Sequence, residues 1–385
     1  MARILVEFEK TDSTTELAKR SYKTIFDYIG VNSVFKSVYE IDVEDLSSCD
    51  LYWAIRPTSM RSLSIARAVK ESGKFYAVNY DDDLLNLPGI LSWRKKNAYK
   101  CITIADVVIG CNPCLVDEYA KISEKHRGFV LNTPVLKNEL LAPFAPKSII
   151  NFVYAAGRDH ELFFEHLFLP ILGVLLEKYH NKVHFTFIGV KPNLKKIGYQ
   201  ECFSFVDLMP LDRYNEYMAT HRFNVGLAPL EDTNFNNHKY FNKYIEYSKL
   251  GMLGLFSNCK PYTYVVNNDN GYLIDNIPEL WFMSMENLIN SSEIIYEKSC
   301  IAQKYLYDNF SIESISSCLS EKLPEIFGYI SEKQVTWHPT KSLDVCFNIL
   351  DKSKKMCVQY KSRGLRGVAS LVRNHIQDRL RREDK

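Results

Sequence analysis

The stretch RFNVGLAPLEDTNFNNHKYFNKYIEYSKLGMLGLFSNCKPYTYVVNNDNGYLID, residues 222–275, decides the fold. FNVGLAPL (223–230) is a short apolar run that ends at a proline, as expected of a strand in a covered parallel sheet. A polar, turn-rich segment follows, and YFNKYIEYSKL (240–250) then predicts a helix that ends at Gly251. MLGLFS (252–257) predicts the next buried strand. The stretch is therefore predicted to form a strand, a helix, a second strand and a closing loop.

Three charged residues give the predicted helix a possible chemical role. Lys239, Lys243 and Glu246 are spaced four and three apart, which places them on one face near the helix start. Free backbone N–H groups and the helix dipole favour an anion there, such as a phosphate or diphosphate. Glu246 is suited to accept hydrogen bonds from ribose or sugar hydroxyls. The alternative is an ordinary amphipathic helix in which Lys243 and Glu246 form a surface pair.

This stretch resembles the donor-site segment of GT-B glycosyltransferases, in particular the retaining nucleotide-sugar enzymes called glycosyltransferase family 4. Those chains carry a strand ending in GLAPL, a helix of the form FN..K...K..EY...G, and a G.L loop. The resemblance implies that Glu246 holds the nucleotide ribose. His238, a donor-binding candidate, stands eight residues earlier, where the family has its first glutamate. The matching residues here are 226–230, Phe235, Asn236, Lys239, Lys243, Glu246, Tyr247, Gly251 and Gly271.

Composition indicates a globular protein with two domains. The chain has 385 residues, of which 46% are hydrophobic, so it can bury a large core. A net charge of +2 argues against a nucleic-acid partner. Ten cysteines follow no disulfide-framework spacing, and neither a membrane-spanning apolar run nor a signal peptide is evident. We therefore expect a cytoplasmic protein.

Alternating strands and helices fill the first half of the chain. The predicted strands are 3–8, 51–57, 75–81, 105–112 and 128–134, separated by helical patterns. This alternation predicts a doubly wound α/β domain, although the first turn lacks a glycine-rich dinucleotide fingerprint. With the resemblance, the fold class is α/β of the GT-B type, with two Rossmann-like domains facing a central cleft. The expected divisions are 1–145 on the acceptor side, 146–330 on the donor side, and a helical extension at 331–385.

Three carboxylates, Asp81, Asp82 and Asp83, follow a predicted strand. They could bind Mg²⁺ or Mn²⁺ beside a diphosphate, or cap the next helix. We favour an acceptor-side or interdomain role, because the carboxyl ends of strands face the crevice of such folds. No metal site is therefore assigned.

Cys111 and Cys114 form a C-x-x-C motif between a strand and a helix. A redox motif is one reading, but a zinc site would need a second pair with similar spacing. The surrounding sequence instead fits the last strand–helix unit of the first domain.

Two further loops complete the predicted donor site. Gly157, Arg158 and His160 precede a helix, and family members have a similar loop that touches the donor diphosphate or the leaving group. With Lys239 and Lys243, Arg158 and His160 are predicted to clamp a pyrophosphate as catalytic residues. The loop Asn258–Tyr262, with Pro261 within it, is predicted to hold sugar hydroxyls through its backbone.

The C-terminal stretch 361–385 carries eight Lys/Arg against three Asp/Glu. Apolar residues recur in it at steps of three and four, which predicts a basic amphipathic helix. Such a helix can lie on an anionic membrane surface, or dock on its own protein or on another subunit. We expect the membrane association.

These features predict a glycosyltransferase that moves a sugar from a nucleotide-diphosphate sugar to a glycan or lipid-linked acceptor. The resemblance implies a retaining, metal-independent enzyme of surface polysaccharide assembly, such as O-antigen or capsule, that needs no cofactor. Other polysaccharide-assembly enzymes are possible partners. The alternatives are a non-catalytic GT-B-like subunit that binds a partner enzyme, and a nucleotide-sugar epimerase.

Overall fold

The computed structural model describes residues 2–9, 13–87, 89–157, 160–329 and 334–338, and these form two parallel sheets with helices on both faces. The first sheet has six strands in the order β2-β1-β3-β4-β5-β6. Its strands are β1 (Ile4–Phe8), β2 (Ser33–Ser37), β3 (Leu51–Ile55), β4 (Phe75–Tyr80), β5 (Val107–Gly110) and β6 (Gly128–Val130). Its helices are α1 (Ser13–Tyr28), α2 (Val43–Ser48), α3 (Met60–Glu71), α4 (Ser92–Thr103) and α5 (Pro113–Ile122). Every residue of β1, β3, β4 and β5 is buried, because helices cover both faces of the sheet.

The second sheet also has six parallel strands, in the order β12-β11-β10-β7-β8-β9. Its strands are β7 (Ile150–Ala155), β8 (Val183–Ile188), β9 (Phe203–Val206), β10 (Val225–Ala228), β11 (Leu253–Ser257) and β12 (Tyr272–Ile274). Its helices are α6 (Glu161–Tyr179), α7 (Leu211–His221), α8 (Asn234–Asn237), α9 (Asn242–Lys249) and α10 (Pro278–Asn290). This confirms the predicted α/β class with two Rossmann-like sheets.

The last described helices return the chain to the first sheet. α11 (Glu293–Phe310) packs on α9, whereas α12 (Ile312–Lys322) and α13 (Glu325–Gly328) contribute Ile315, Leu319 and Ile326 to the core of the first sheet. The segment 334–338 also belongs to that side. The Trp337 ring is buried there, and its indole N–H donates to Ser64 Oγ at 3.0 Å.

Each sheet reverses its strand order beside its first strand. β1 pairs with both β2 and β3, and β7 pairs with both β8 and β10. The connections leaving such a strand and its neighbour run to opposite faces, so a crevice opens at their carboxyl ends. The topology thus creates a crevice between β7 and β10, and β10 belongs to the stretch that decides the fold.

Two elements of that stretch differ from the prediction. The helix predicted from Tyr240 begins at Asn242, so Lys239 lies in the turn before α9 rather than on the helix. The segment predicted as a polar turn contains the short helix α8, because the Thr233 hydroxyl caps it by accepting from the Asn236 N–H at 3.2 Å. The closing loop contains β12, which pairs with β11.

Candidate active site

A cavity of about 790 Å³ lies at the carboxyl ends of the strands of the second sheet. Residues 155–157 at the end of β7 and 227–230 at the end of β10 line it, together with Ile188 and residues 208–211. Thr14, on α1, lines the cavity from the side of the first sheet. The cavity therefore lies between the two sheets and has the size of a small-molecule site.

The start of α9 supplies the cavity with positive charge. Lys239, Tyr240, Asn242 and Lys243 all line it. The helix begins with Phe241 at the N-cap, and this side chain makes no capping hydrogen bond. The positive end of the helix dipole is therefore available to an anion in the cavity. Two lysines and a helix N-terminus together suit a phosphate or diphosphate.

The Lys243 side chain is held by two partners. Its Nζ lies 2.7 Å from Glu246 Oε2 and 3.2 Å from Tyr214 Oη. Tyr214, which also lines the cavity, donates its phenolic O–H to Glu246 Oε1. Burial, and then the Glu246 charge, raise the pKa of Tyr214 well above its ordinary value, so the phenol stays a donor. Glu246 does not line the cavity but fixes two residues that do.

The loop after β7 forms another wall. Gly157 and His160 line the cavity, and the Tyr154 hydroxyl donates to the His160 carbonyl at 3.4 Å. Arg158 lies outside the described residues.

Of the predicted sugar-binding loop, Tyr262 lines the cavity and packs on Phe256, with ring centroids 4.8 Å apart. Asn258 donates instead to Asp275 Oδ1 at 2.8 Å. Neither Asn258 nor Pro261 belongs to the described cavity lining.

The three carboxylates after β4 do not converge on one point. Arg56 pairs with Asp81 at 3.2 Å and with Asp82 at 3.5 Å. The Asp83 side chain is fully buried, and its Oδ1 accepts the Tyr119 hydroxyl at 2.9 Å. Asp83 therefore points away from its two neighbours, towards His238 of the second sheet.

His238 lies outside the cavity lining described above. Its side chain is 2% exposed and faces Asp83, which follows β4, and Glu118, which lies on α5. The residue thus contributes to the contact between the two halves of the molecule.

The two cysteines of the C-x-x-C motif are free thiols with separate partners. Cys111 Sγ donates to the Asp81 carbonyl at 3.2 Å. Cys114 Sγ lies 3.0 Å from Tyr264 Oη and 3.1 Å from Lys260 Nζ, both in the second half of the chain. Cys114 thus contacts the other domain.

Sequence reasoning missed several lining residues, chiefly Tyr214, Tyr154 and Thr14. Tyr214 is 32 positions from Glu246, so no local spacing joins them. The available signal was its place at the start of a helix that follows a strand, since strand–helix turns of one sheet meet at the same edge.

No family model matches the sequence, and no curated protein matches it. Solved structures do match the fold. HepE of Anabaena in complex with UDP superposes with a TM-score of 0.60 at 12% identity, over 84% of this chain and all of that one. A glycosyltransferase of Rickettsia africae gives 0.61 at 12% identity, over 86% and 99% of the two chains. The lipopolysaccharide outer core galactosyltransferase WaaB gives 0.55 at 14% identity, over 84% and 99%.

These similarities confirm that the chain has the GT-B fold, with two Rossmann-like domains facing a cleft. Among the described residues, no helix is both long enough and apolar enough to cross a bilayer.

Proposed function

We propose that this protein is a glycosyltransferase that takes a sugar from a nucleotide-diphosphate sugar. The observation that carries the proposal is the cavity at the β7–β10 crevice, where Lys239, Lys243 and the start of α9 present positive charge. A solved structure of the same fold, HepE, holds UDP-glucose. A diphosphate is the group that such a cationic wall would bind.

The chemistry follows from the leaving group. When the anomeric C–O bond to the diphosphate breaks, negative charge develops on the diphosphate, and fixed cations aimed at it lower the barrier. Lys243 is already oriented by Glu246 and Tyr214, so it needs little reorganisation during the reaction. His160, which lines the cavity, is proposed to act with the lysines, and so is Arg158, which the sequence assigns to the same loop but which lies outside the described residues. In this scheme the protein's own cations do the work of a metal. Retention of the anomeric configuration is proposed on the resemblance to the family alone.

The acceptor is proposed to enter from the side of the first sheet, where Asp81 and Asp82 follow β4, whereas Asp83 is fully buried and faces His238. A glycan or lipid-linked acceptor of surface polysaccharide synthesis suits this arrangement, and WaaB is a lipopolysaccharide enzyme of the same fold. We place the protein in the cytoplasm, at the inner face of the membrane.

The segment 361–385, outside the described residues, would supply the membrane contact. Flotation with anionic vesicles should be lost when the chain ends at residue 360. Undiminished flotation would exclude this role for the segment.

A turnover assay tests the proposal. The purified protein is incubated with UDP-, GDP-, dTDP- and CMP-sugars, with and without a lipid extract as acceptor, and both nucleotide release and sugar identity are followed. One nucleotide sugar should be consumed, with its sugar recovered in the lipid fraction. Conversion to an epimer without transfer would indicate the epimerase, and no turnover of any donor would favour the non-catalytic subunit.

A further inference from the structure

We propose that Asp83, Glu118 and His238 form a binding site for one divalent transition-metal cation of the Zn²⁺ class, between the two domains. One ligand atom from each residue lies within 4.8 Å of the other two. Asp83 follows β4 and Glu118 lies on α5, whereas His238 follows α8. The site is therefore complete only when the two domains meet, and it does not depend on the proposed function.

The imidazole of His238 has a ligand atom to offer. Its Nδ1 lies 2.8 Å from the Asn234 carbonyl oxygen, and because a carbonyl only accepts, Nδ1 carries the hydrogen. In the neutral ring Nε2 is then left with a lone pair. This atom is buried and has no hydrogen-bond partner among the described residues. A backbone carbonyl on the other ring nitrogen is the usual partner of a metal-binding histidine.

The Nε2 lone pair faces another lone pair. Glu118 Oε1 lies 3.2 Å from His238 Nε2, so two acceptors point at each other unless a cation stands between them. Zn–N and Zn–O distances of about 2.0–2.2 Å place neighbouring ligands of a tetrahedral site roughly 3.3–3.5 Å apart. The observed separation is close to that value and needs only a small movement of the half-exposed Glu118 side chain.

Asp83 supplies the third ligand and the strongest electrostatic reason for a cation. Its carboxylate is fully buried. Among the described residues its one possible cationic partner is His238, whose Nδ1 lies 3.7 Å from Asp83 Oδ2. Tyr119 and Asn86 hold the carboxylate in place through bonds of 2.9 and 2.7 Å. Hydrogen bonds leave the negative charge in place, and a buried charge is costly unless it is paired.

The donor set selects the kind of cation. One imidazole nitrogen with two carboxylates suits Zn²⁺ and Co²⁺, whereas Mg²⁺ and Ca²⁺ prefer oxygen ligands alone. Glu118 is 49% exposed, which leaves a path for the ion and room for a water ligand.

The location of the proposed ion between the two domains predicts a structural role. Around it, Asn112 donates to the carbonyls of Asn237 and Lys239 at 2.9 and 2.8 Å, which also joins the two domains. Because Lys239 follows His238 directly and lines the cavity, an ion on His238 would stiffen one cationic wall of the cavity. Its role is structural, and it stands apart from the lysines that face the diphosphate.

Binding is tested on the full chain, first stripped with a chelator and then titrated with Zn²⁺ in a calorimeter and with Co²⁺ in a spectrophotometer. The wild type should bind one equivalent, and Co²⁺ should give a visible d–d absorption without the thiolate charge-transfer band that a cysteine ligand produces. Glu118→Gln removes a half-exposed ligand without threatening the fold and should weaken binding by more than about tenfold. Asp117→Asn, the exposed neighbour on α5, is the matched control and should bind like the wild type.

His238→Gln provides a second, independent variant, which should also fail to bind the one equivalent of Zn²⁺ or Co²⁺. The proposal is overturned if the wild type binds no stoichiometric Zn²⁺. It is equally overturned if Glu118→Gln and His238→Gln bind as well as Asp117→Asn.

Discussion

Glu7, near the carboxyl end of β1, is a carboxylate buried in the first sheet with no exposed surface. Tyr52 and Ser62 donate hydroxyl hydrogen bonds to its two oxygens. Burial nevertheless dominates and raises the pKa of Glu7 from 4.5 to about 7. No spacing rule predicts this residue, because it stands in an apolar run that reads as an ordinary buried strand. Its partners come from β3 and α3, which only the folded sheet brings near.

This raised pKa predicts a pH-dependent stability. The folded state binds the Glu7 proton more tightly than the unfolded state, so the resulting stabilisation is complete below about pH 4.5 and is lost as the pH rises through about 7. Urea unfolding of the wild type and of Glu7→Gln at pH 5 and pH 8 measures the effect. Relative to the variant, the wild type should lose about 2–3 kcal/mol of unfolding free energy over this range.

Glu71→Gln is the control, because Glu71 is an exposed carboxylate at the end of α3. Its unfolding free energy should change between pH 5 and pH 8 as much as that of the wild type. An equal pH response of the wild type and Glu7→Gln would contradict the assignment.

At the scale of elements, long periodic segments were predictable and short ones were not. α6 runs over Glu161–Tyr179, directly after the loop of Gly157 and His160, where the sequence analysis predicts a helix. α9 is shorter than predicted, because Phe241 takes the N-cap position and the preceding residues turn away after α8. Tertiary packing decided that start, and with it the place of Lys239. The charge pattern still placed Lys243 beside the cavity.

The position of Lys243 on α9 carries a kinetic prediction. Lys243→Ala removes a cation that lines the cavity, and a hydrogen bond to a charged group contributes about 1.5–3 kcal/mol. With the donor sugar identified by turnover, kcat/KM should therefore fall roughly 10- to 100-fold. Lys249→Ala, at the other end of the same helix, removes an equal charge outside the described lining and should stay near the wild-type value. Equal losses in the two variants would show that only overall charge matters.

At the scale of the molecule, the alternation of strands and helices predicted a doubly wound α/β domain in the first half of the chain, and the family resemblance implied the GT-B arrangement of two such domains. The contacts between the domains could not be predicted, since they join residues far apart in sequence. Asn112 and Lys239 are 127 positions apart, and Cys114 and Tyr264 are 150 apart. Such pairs form only when the two folded domains pack against each other, and no local sequence pattern predicts that packing. The same docking completes the cavity lining, to which Thr14 contributes from one domain and Lys239 and Lys243 from the other.

The central claim is that this cavity binds a nucleoside diphosphate through the protein's own cations. The most direct measurement is the melting temperature with UDP, GDP, CMP and dTDP, each in EDTA and in Mg²⁺. Because a ligand that binds only the folded state raises the melting temperature, one nucleotide should raise it by the same increment in both buffers. No increment with any nucleotide would contradict the claim, and an increment present only with Mg²⁺ would show that a metal, rather than the lysines, holds the diphosphate.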